Sequence, residues 1–349
     1  MGQSKNERML ELVELLNKAS RSYYQDAQEI MSNYEYDRLY DELQDLEKVL
    51  GKTANKENVK YFDKIRASIR FKHFKKTYDE NILDIKGGLN DVVMNNSPID
   101  IDKLIEGTNE ILTANRNSLQ LFDMLHSMRQ FDDLTYVHSV NVALIASILG
   151  QWLKFSEKDI RILTISGLLH DIGKIMIPNE ILTKPGKLTV AEYNIMKQHV
   201  NFGYEKVKNQ NIDIRIKEAC LLHHEKCDGT GYPFGLKSDH IPAVAKIIAI
   251  ADVYDAMTSA RVYRGALCPF EVIDTMYKDA FTKFEPEYIL PFLKNVASSY
   301  INNDVRLSDG RIGKVVLINE NALSLPIVQC EDEFIDLSKT RGLTVSAIL

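Results

Sequence analysis

Residues 168–174 read Leu168-Leu169-His170-Asp171-Ile172-Gly173-Lys174, and this stretch decides how the rest of the chain is read. A histidine and an aspartate stand side by side at the end of an apolar run, with a glycine and a lysine just beyond. Alone, the pair would be an ordinary polar helix end facing water. It gains meaning because other segments repeat the chemistry: His138, His199, the pair His223-His224, and Asp252 all fall at core-facing positions. His138 shares a helical face with Val142, Ile145, Leu149 and Trp152, which puts its imidazole at the buried end of an amphipathic helix. Ile160, Leu163 and Gly167 lead at helical spacing to His170 and Asp171, where Gly173 is expected to help end the helix. His199 follows Ile195 and Met196 by four and three residues, on the apolar side of the same expected helix. Ile216, Ala219 and Cys220 turn His223-His224 inward, and Val244 and Ile248 do the same for Asp252. An aspartate on such a face is costly to bury unless it is paired or bound to a metal.

Nitrogen and oxygen donors without a thiolate at matched spacing suit iron, manganese, nickel or zinc in a reactive site rather than structural zinc. Seven such side chains exceed the needs of one ion that keeps a position open, and suit two ions bridged by Asp171. Two ions roughly 3.5–4 Å apart stabilise both oxygens of an in-line phosphoryl displacement. Lys174, a turn past Asp171, is placed to offset charge on a phosphate.

The whole chain fits that picture. Its 349 residues allow two or three domains, and the net charge of -6 gives no general reason to expect nucleic-acid binding. No apolar run reaches the roughly 18 residues of a membrane span. The four cysteines show no CxxC spacing and suit reduced thiols in a cytoplasmic protein. Ser156 and Thr189 are expected helix N-caps. Residues 51–95 are charged and read as a solvated helical connector. Asn95-Asn96-Ser97-Pro98 marks the start of the main domain, and a helix is expected over Ile101–Arg129. Beyond Asn303, short β-rich runs separated by Asp-Gly and Asn-rich turns form a small tail over 303–349, with no candidate catalytic residue.

Two resemblances add to this reading. His170–Lys174, Pro178–Thr189, the run His223–Leu236 (HHEKCDGTGYPFGL) and Ile250–Arg264 (IADVYDAMTSARVYR) together resemble an HD-GYP domain. That is the branch of the HD phosphohydrolases that hydrolyses cyclic di-GMP. The resemblance covers about residues 96–295 and implies a mainly α helical bundle. It implies one divalent ion on His138, His170, Asp171 and Asp252, and a second on Asp171, His199, His223 and His224. Iron or manganese is favoured, with nickel, cobalt or zinc as alternatives. Lys174 would contact a bridging hydroxide or the scissile phosphate, and Arg261, Tyr263 and Arg264 the phosphates and bases of the dinucleotide. The GYP loop (Asp228, Gly229, Gly231, Tyr232, Pro233) is a rigid rim of the site or a contact for partners. Where some relatives supply a Glu to a third metal, this chain has Leu134, so two ions are expected.

The implied function is hydrolysis of cyclic di-GMP to pGpG, and on to GMP in some members. Alternatives are another cyclic dinucleotide such as cyclic GMP-AMP, and a low-turnover binding module. The expected partners are cyclic di-GMP, a protein at the GYP loop or the N-terminal module, and a second copy of the chain. Residues 1–50 read as a helical hairpin and resemble the small N-terminal helical domain of NAD-dependent DNA ligases. Tyr23, Tyr36 and Asp37 match that family's positions, whereas Tyr24 replaces a usual His and Asn33 a usual Asp. Losing that carboxylate weakens attraction for a cationic nicotinamide ring, so this hairpin is expected to serve as an interaction element.

Overall fold

A computed structural model of the chain describes residues 69–114, 121–122, 124–125, 134–184, 186–258 and 267–349, together with Arg8, Glu11, Leu12 and Glu42. The ligase-like hairpin and residues 51–68 therefore lie almost wholly outside the described residues.

The first long helix, α1 (Ile69–Asn95), corrects the reading of a solvated connector over its length. Phe71, Phe74, Tyr78, Ile82, Ile85, Leu89 and Val92 recur every three or four residues, and all are buried. Its lysines and acids occupy the opposite face, and this charged half made the segment look like a linker. A short break leads to α2 (Ile101–Ala114), within the helix expected to Arg129, and Leu121, Phe122, Met124 and Leu125 are helical as well. Residues 115–120 and 126–133 lie outside the described set.

The central layer is α3 (Leu134–Trp152) packed on α4 (Glu157–Leu169). Ser156 caps α4 by accepting from the Asp159 amide, as its sequence predicts. Gly167 lets the two helices meet backbone to backbone, because a Cβ there would fall on the Cα and nitrogen of Ala143. His170 caps α4, and a 3-10 turn then covers Ile172–Met176. Gly173 thus sits inside this turn instead of ending the helix. Its missing side chain lets the turn press against the carbonyl of His199, where any Cβ would collide.

A short α5 (Asn179–Leu182) and α6 (Val190–Met196) follow, and Thr189 with Glu192 completes the expected capping box. His199 does not continue α6; it opens a new helix, α7 (His199–Val207). Then come α8 (Ile214–Leu222), capped by Asp213, and α9 (Ala243–Thr258). The helical body closes with α10 (Pro269–Asp279) and α11 (Pro286–Ser298). Trp152, Tyr254, Phe292 and Phe122 form an aromatic knot beneath α3 and α9, with Phe122 stacked on Trp152 at 5.6 Å.

The tail is a five-stranded antiparallel sheet in the order β4-β3-β2-β1-β5. Its strands are β1 (Asp304–Leu307), β2 (Ile312–Leu317), β3 (Ile327–Cys330), β4 (Glu333–Asp336) and β5 (Val345–Ile348). Val305, Leu307, Val315, Val328 and Ile348 face inward and join the same apolar core as the helices. Phe270 of α10 packs at 5.6 Å on Tyr300, in the turn before β1, and the Cys268 thiol at the start of α10 meets the Val345 carbonyl of β5 at 3.6 Å. Among the described residues no helix is long and apolar enough to cross a membrane.

Candidate metal centre

The histidines and aspartates singled out from the sequence come together where the N-terminal part of α3, the C-terminal ends of α4 and α8, the start of α7 and the middle of α9 meet. His170, Asp171, His199 and His223 are almost fully buried, and Asp252 is 8% exposed. Three imidazoles are held the same way. His170 Nδ1 lies 2.8 Å from the Gly167 carbonyl, His199 Nδ1 2.7 Å from Met196, and His223 Nδ1 3.0 Å from Ala219. A carbonyl only accepts, so each Nδ1 carries the proton and each Nε2 turns a lone pair inward.

Those lone pairs converge on one carboxylate. His170 Nε2 is 3.2 Å from Asp171 Oδ2, His199 Nε2 is 3.3 Å from Asp171 Oδ1, and His223 Nε2 is 3.7 Å from the same oxygen. His199 and His223 also bring their Nε2 atoms within 3.4 Å of each other. The angles satisfy neither His170 Nε2 nor Asp171 Oδ1, which have no hydrogen-bond partner among the described residues. Buried acceptors facing acceptors repel unless a cation lies between them. The donor set therefore fits divalent metal. Among the described residues two groups have ligand atoms close enough for an ion: Asp171, His199, His223 and His224, and His138, His170 and Asp171. Asp171 belongs to both.

Asp252 stands slightly apart from these groups, 2.9 Å from His138 Nε2 and 3.8 Å from His224 Nδ1. His138 Nε2 lies 3.7 Å from Asp171. Lys174 reaches back to Asp171 Oδ2 at 2.5 Å. Burial disfavours charge on Asp171, but His170 and Lys174 outweigh it and hold the carboxyl well below the usual range. Burial likewise pushes His199 down to about 3 and lowers His170 and His224, which favours the neutral imidazoles that ligate a metal. His138 differs: burial opposes its charge, yet Asp252 and Asp255 raise it to about 9.

The GYP loop forms a wall of the site. The Tyr232 ring stacks on His224 at 4.7 Å. Asp228 accepts from the amide and hydroxyl of Thr230, which closes a tight turn with Gly229 at φ +83°. Glu225, which the sequence reading passed over, is nearly fully buried and receives three loop amides. Its Oε1 accepts from Phe234 (2.7 Å) and Gly235 (3.1 Å), and its Oε2 from Leu236 (2.9 Å). Its place directly after His223-His224 was the available signal. Asp255 was also missed, although its position three residues after Asp252 sets both carboxylates on one face of α9. Arg261, Tyr263 and Arg264 lie outside the described residues.

Comparison with known proteins agrees with this chemistry. A family model described as an HD domain matches residues 108–288. A second, described as a DNA ligase-like N-terminal NAD+-binding domain, matches residues 2–57. A cyclic di-GMP phosphodiesterase of Pseudomonas aeruginosa is 36% identical over 203 residues, covering 58% of this chain and 49% of its own length. A cyclic di-GMP phosphodiesterase response regulator of Xanthomonas campestris is 36% identical over 197 residues, covering 56% and 52%. A 3'3'-cGAMP-specific phosphodiesterase of Vibrio cholerae is 30% identical over 216 residues, covering 61% and 40%. The chain thus spans about half the length of the first two relatives or less of the third. The HD model takes in more than half of the chain, including every residue of the histidine and aspartate cluster, and the chain belongs to the HD domain family.

Proposed function

We propose that this protein is an HD-GYP phosphodiesterase that opens cyclic di-GMP to linear pGpG with two divalent ions. The observation that carries the reading is the convergence of three inward Nε2 lone pairs on Asp171. His138, His170, Asp171 and Asp252 would hold one ion, and Asp171, His199, His223 and His224 the other. Iron or manganese suits this nitrogen and oxygen set. Bound there, such ions supply Lewis acidity towards a phosphate oxygen and lower the pKa of a water.

The protein's own contribution is orientation and charge. The Gly167, Met196 and Ala219 carbonyls fix three tautomers, so these three imidazoles need not reorganise on binding. Lys174 is 23% exposed at its side chain, so its ammonium can meet a phosphate oxygen while still touching Asp171. Tyr232 and the Glu225-held loop close one wall and restrict water on that side. Arg261 and Arg264 would make charge-assisted bonds to the phosphates or guanine edges, with Tyr263 beside them. The GYP loop and the ligase-like residues 1–50 are the surfaces for a protein partner or a second copy. The two ligase departures, Tyr24 and Asn33, favour that role over NAD binding.

A second reading, cleavage of 3'3'-cGAMP, draws on the Vibrio cholerae relative of that name. The test is to load the anaerobically purified chain with ferrous or manganous ion and incubate it with each cyclic dinucleotide. Preferential conversion of cyclic di-GMP to pGpG supports the first reading. Faster turnover of 3'3'-cGAMP selects the second, and no turnover of either overturns both.

A further inference from the structure

A chain of buried hydrogen bonds runs from the metal centre out of the matched HD domain. His138 Nδ1 lies 2.7 Å from Asp255 Oδ2. The other oxygen of Asp255 accepts from Asn141 Nδ2 at 2.9 Å. Asn141 Oδ1 in turn accepts from the Tyr78 hydroxyl at 2.5 Å. Tyr78, Asn141 and Asp255 are at most 2% exposed, so water does not compete for these groups. Each orientation is forced by its neighbour. A carboxylate only accepts, so Asn141 must offer Asp255 its amide nitrogen, which leaves its oxygen for Tyr78. His138 must then give Asp255 its Nδ1 proton for its Nε2 to be free to ligate.

Tyr78 lies on α1, outside residues 108–288, and its ring packs on Phe74 at 5.5 Å. The far end of α1 is also fastened to α7 and the residues after it. Lys206 of α7 donates to the Val93 carbonyl at 2.8 Å and to Asn96 at 3.0 Å. Gln210 accepts from the Ile99 amide and donates to the Ser97 carbonyl. The helix through which the chain leaves residues 1–68 is thus bonded both to α3, which carries His138, and to the α7 segment that begins with His199.

We infer that Tyr78 is a positioning residue of the metal centre, acting through Asn141 and Asp255 on the His138 imidazole. The inference rests on His138 being a metal ligand. A displacement of α1 breaks the Tyr78–Asn141 bond, releases the Asn141 amide, and loosens the carboxylate that sets the ring.

The test is a double-mutant cycle on Mn2+ affinity, measured by titrating the metal-free full chain with Mn2+ alone. Asp255→Asn is expected to weaken binding at the His138 site about 10- to 100-fold, the usual effect of losing a metal ligand's partner. Tyr78→Phe keeps the ring and is expected to weaken it about fivefold, the scale of one buried hydrogen bond. The double variant should bind no more weakly than Asp255→Asn alone if Tyr78 acts through Asp255 and not through its longer, 3.4 Å bond to the Val137 carbonyl. A purely structural tyrosine would lower the melting temperature equally with and without metal and leave Kd unchanged, which overturns the inference. Effects that multiply in the double variant also overturn it. If Asp252→Ala loses Mn2+ while Tyr78→Phe keeps the wild-type Kd, the metal reading stands and only the role of Tyr78 falls. If wild type binds no Mn2+, both fall together.

Discussion

Gly167→Ala separates the close approach of α3 and α4 from simple helix propensity, because the two predict opposite signs. Alanine is favoured over glycine in a helix by about 1 kcal/mol, so an open position would gain stability. Here the new Cβ would sit 2.6 Å from the Ala143 nitrogen and 3.0 Å from its Cβ, with the Ala143 Cα closer still. Carbon contacts are comfortable near 3.5–4 Å, so the helices must part by roughly 1 Å. Such overpacking costs about 1–3 kcal/mol in a dense core, and the upper half applies because the obstacle is backbone. At roughly 2–4 °C per kcal/mol for a domain of this size, calorimetry of the metal-free protein should show a drop of about 4–12 °C. Metal affinity should fall as well, since His138 on α3 and His170 after α4 would move apart. Ala143→Gly should not rescue the variant, as it removes the Cβ and leaves the Cα and nitrogen in place. An unchanged or raised melting temperature, or full rescue by Ala143→Gly, would refute the close-approach reasoning.

Other substitutions probe separate parts of the centre. Lys174→Met should lower turnover about 10²- to 10³-fold, the scale of losing one preorganised donor to developing charge, while metal content stays at the wild-type level; steady-state rates with metal analysis check this. Glu225→Gln turns one acceptor of the loop amides into a donor facing a donor. It should cost about 1–3 kcal/mol in denaturant melts and raise KM by displacing Tyr232 and its neighbours. Arg264→Ala should raise KM with metal content intact, and loss of metal instead would assign the arginine a structural role.

What the sequence made legible is local chemistry. Ser156 and Thr189 were readable as caps because a cap bonds an amide three residues away. The inward histidines were readable because periodicity reports a face. The breaks were less legible. Met196 and His199 looked like one helix, but the chain turns between them so that His199 can give its Nδ1 proton to the Met196 carbonyl. Gly173 looked like a helix stop, whereas its smallness serves contact with α7. Residues 69–95 were misread because their charged face drew the reading while the apolar row beneath it went uncounted. The partnership of Tyr78, Asn141 and Asp255 was beyond reach for a different reason. Their meaning lies in bonds between residues 63, 114 and 117 positions apart, which only the packed fold supplies.

The central claim is a two-ion centre bridged by Asp171. Metal content per chain and cyclic di-GMP turnover, measured on the same anaerobic preparations of wild type and Asp171→Ala, test it most directly. Wild type should carry two ions per chain and produce pGpG, and Asp171→Ala should lose most of both ions together with activity. Full activity with a single ion in the wild type, or wild-type turnover in Asp171→Ala, would contradict it.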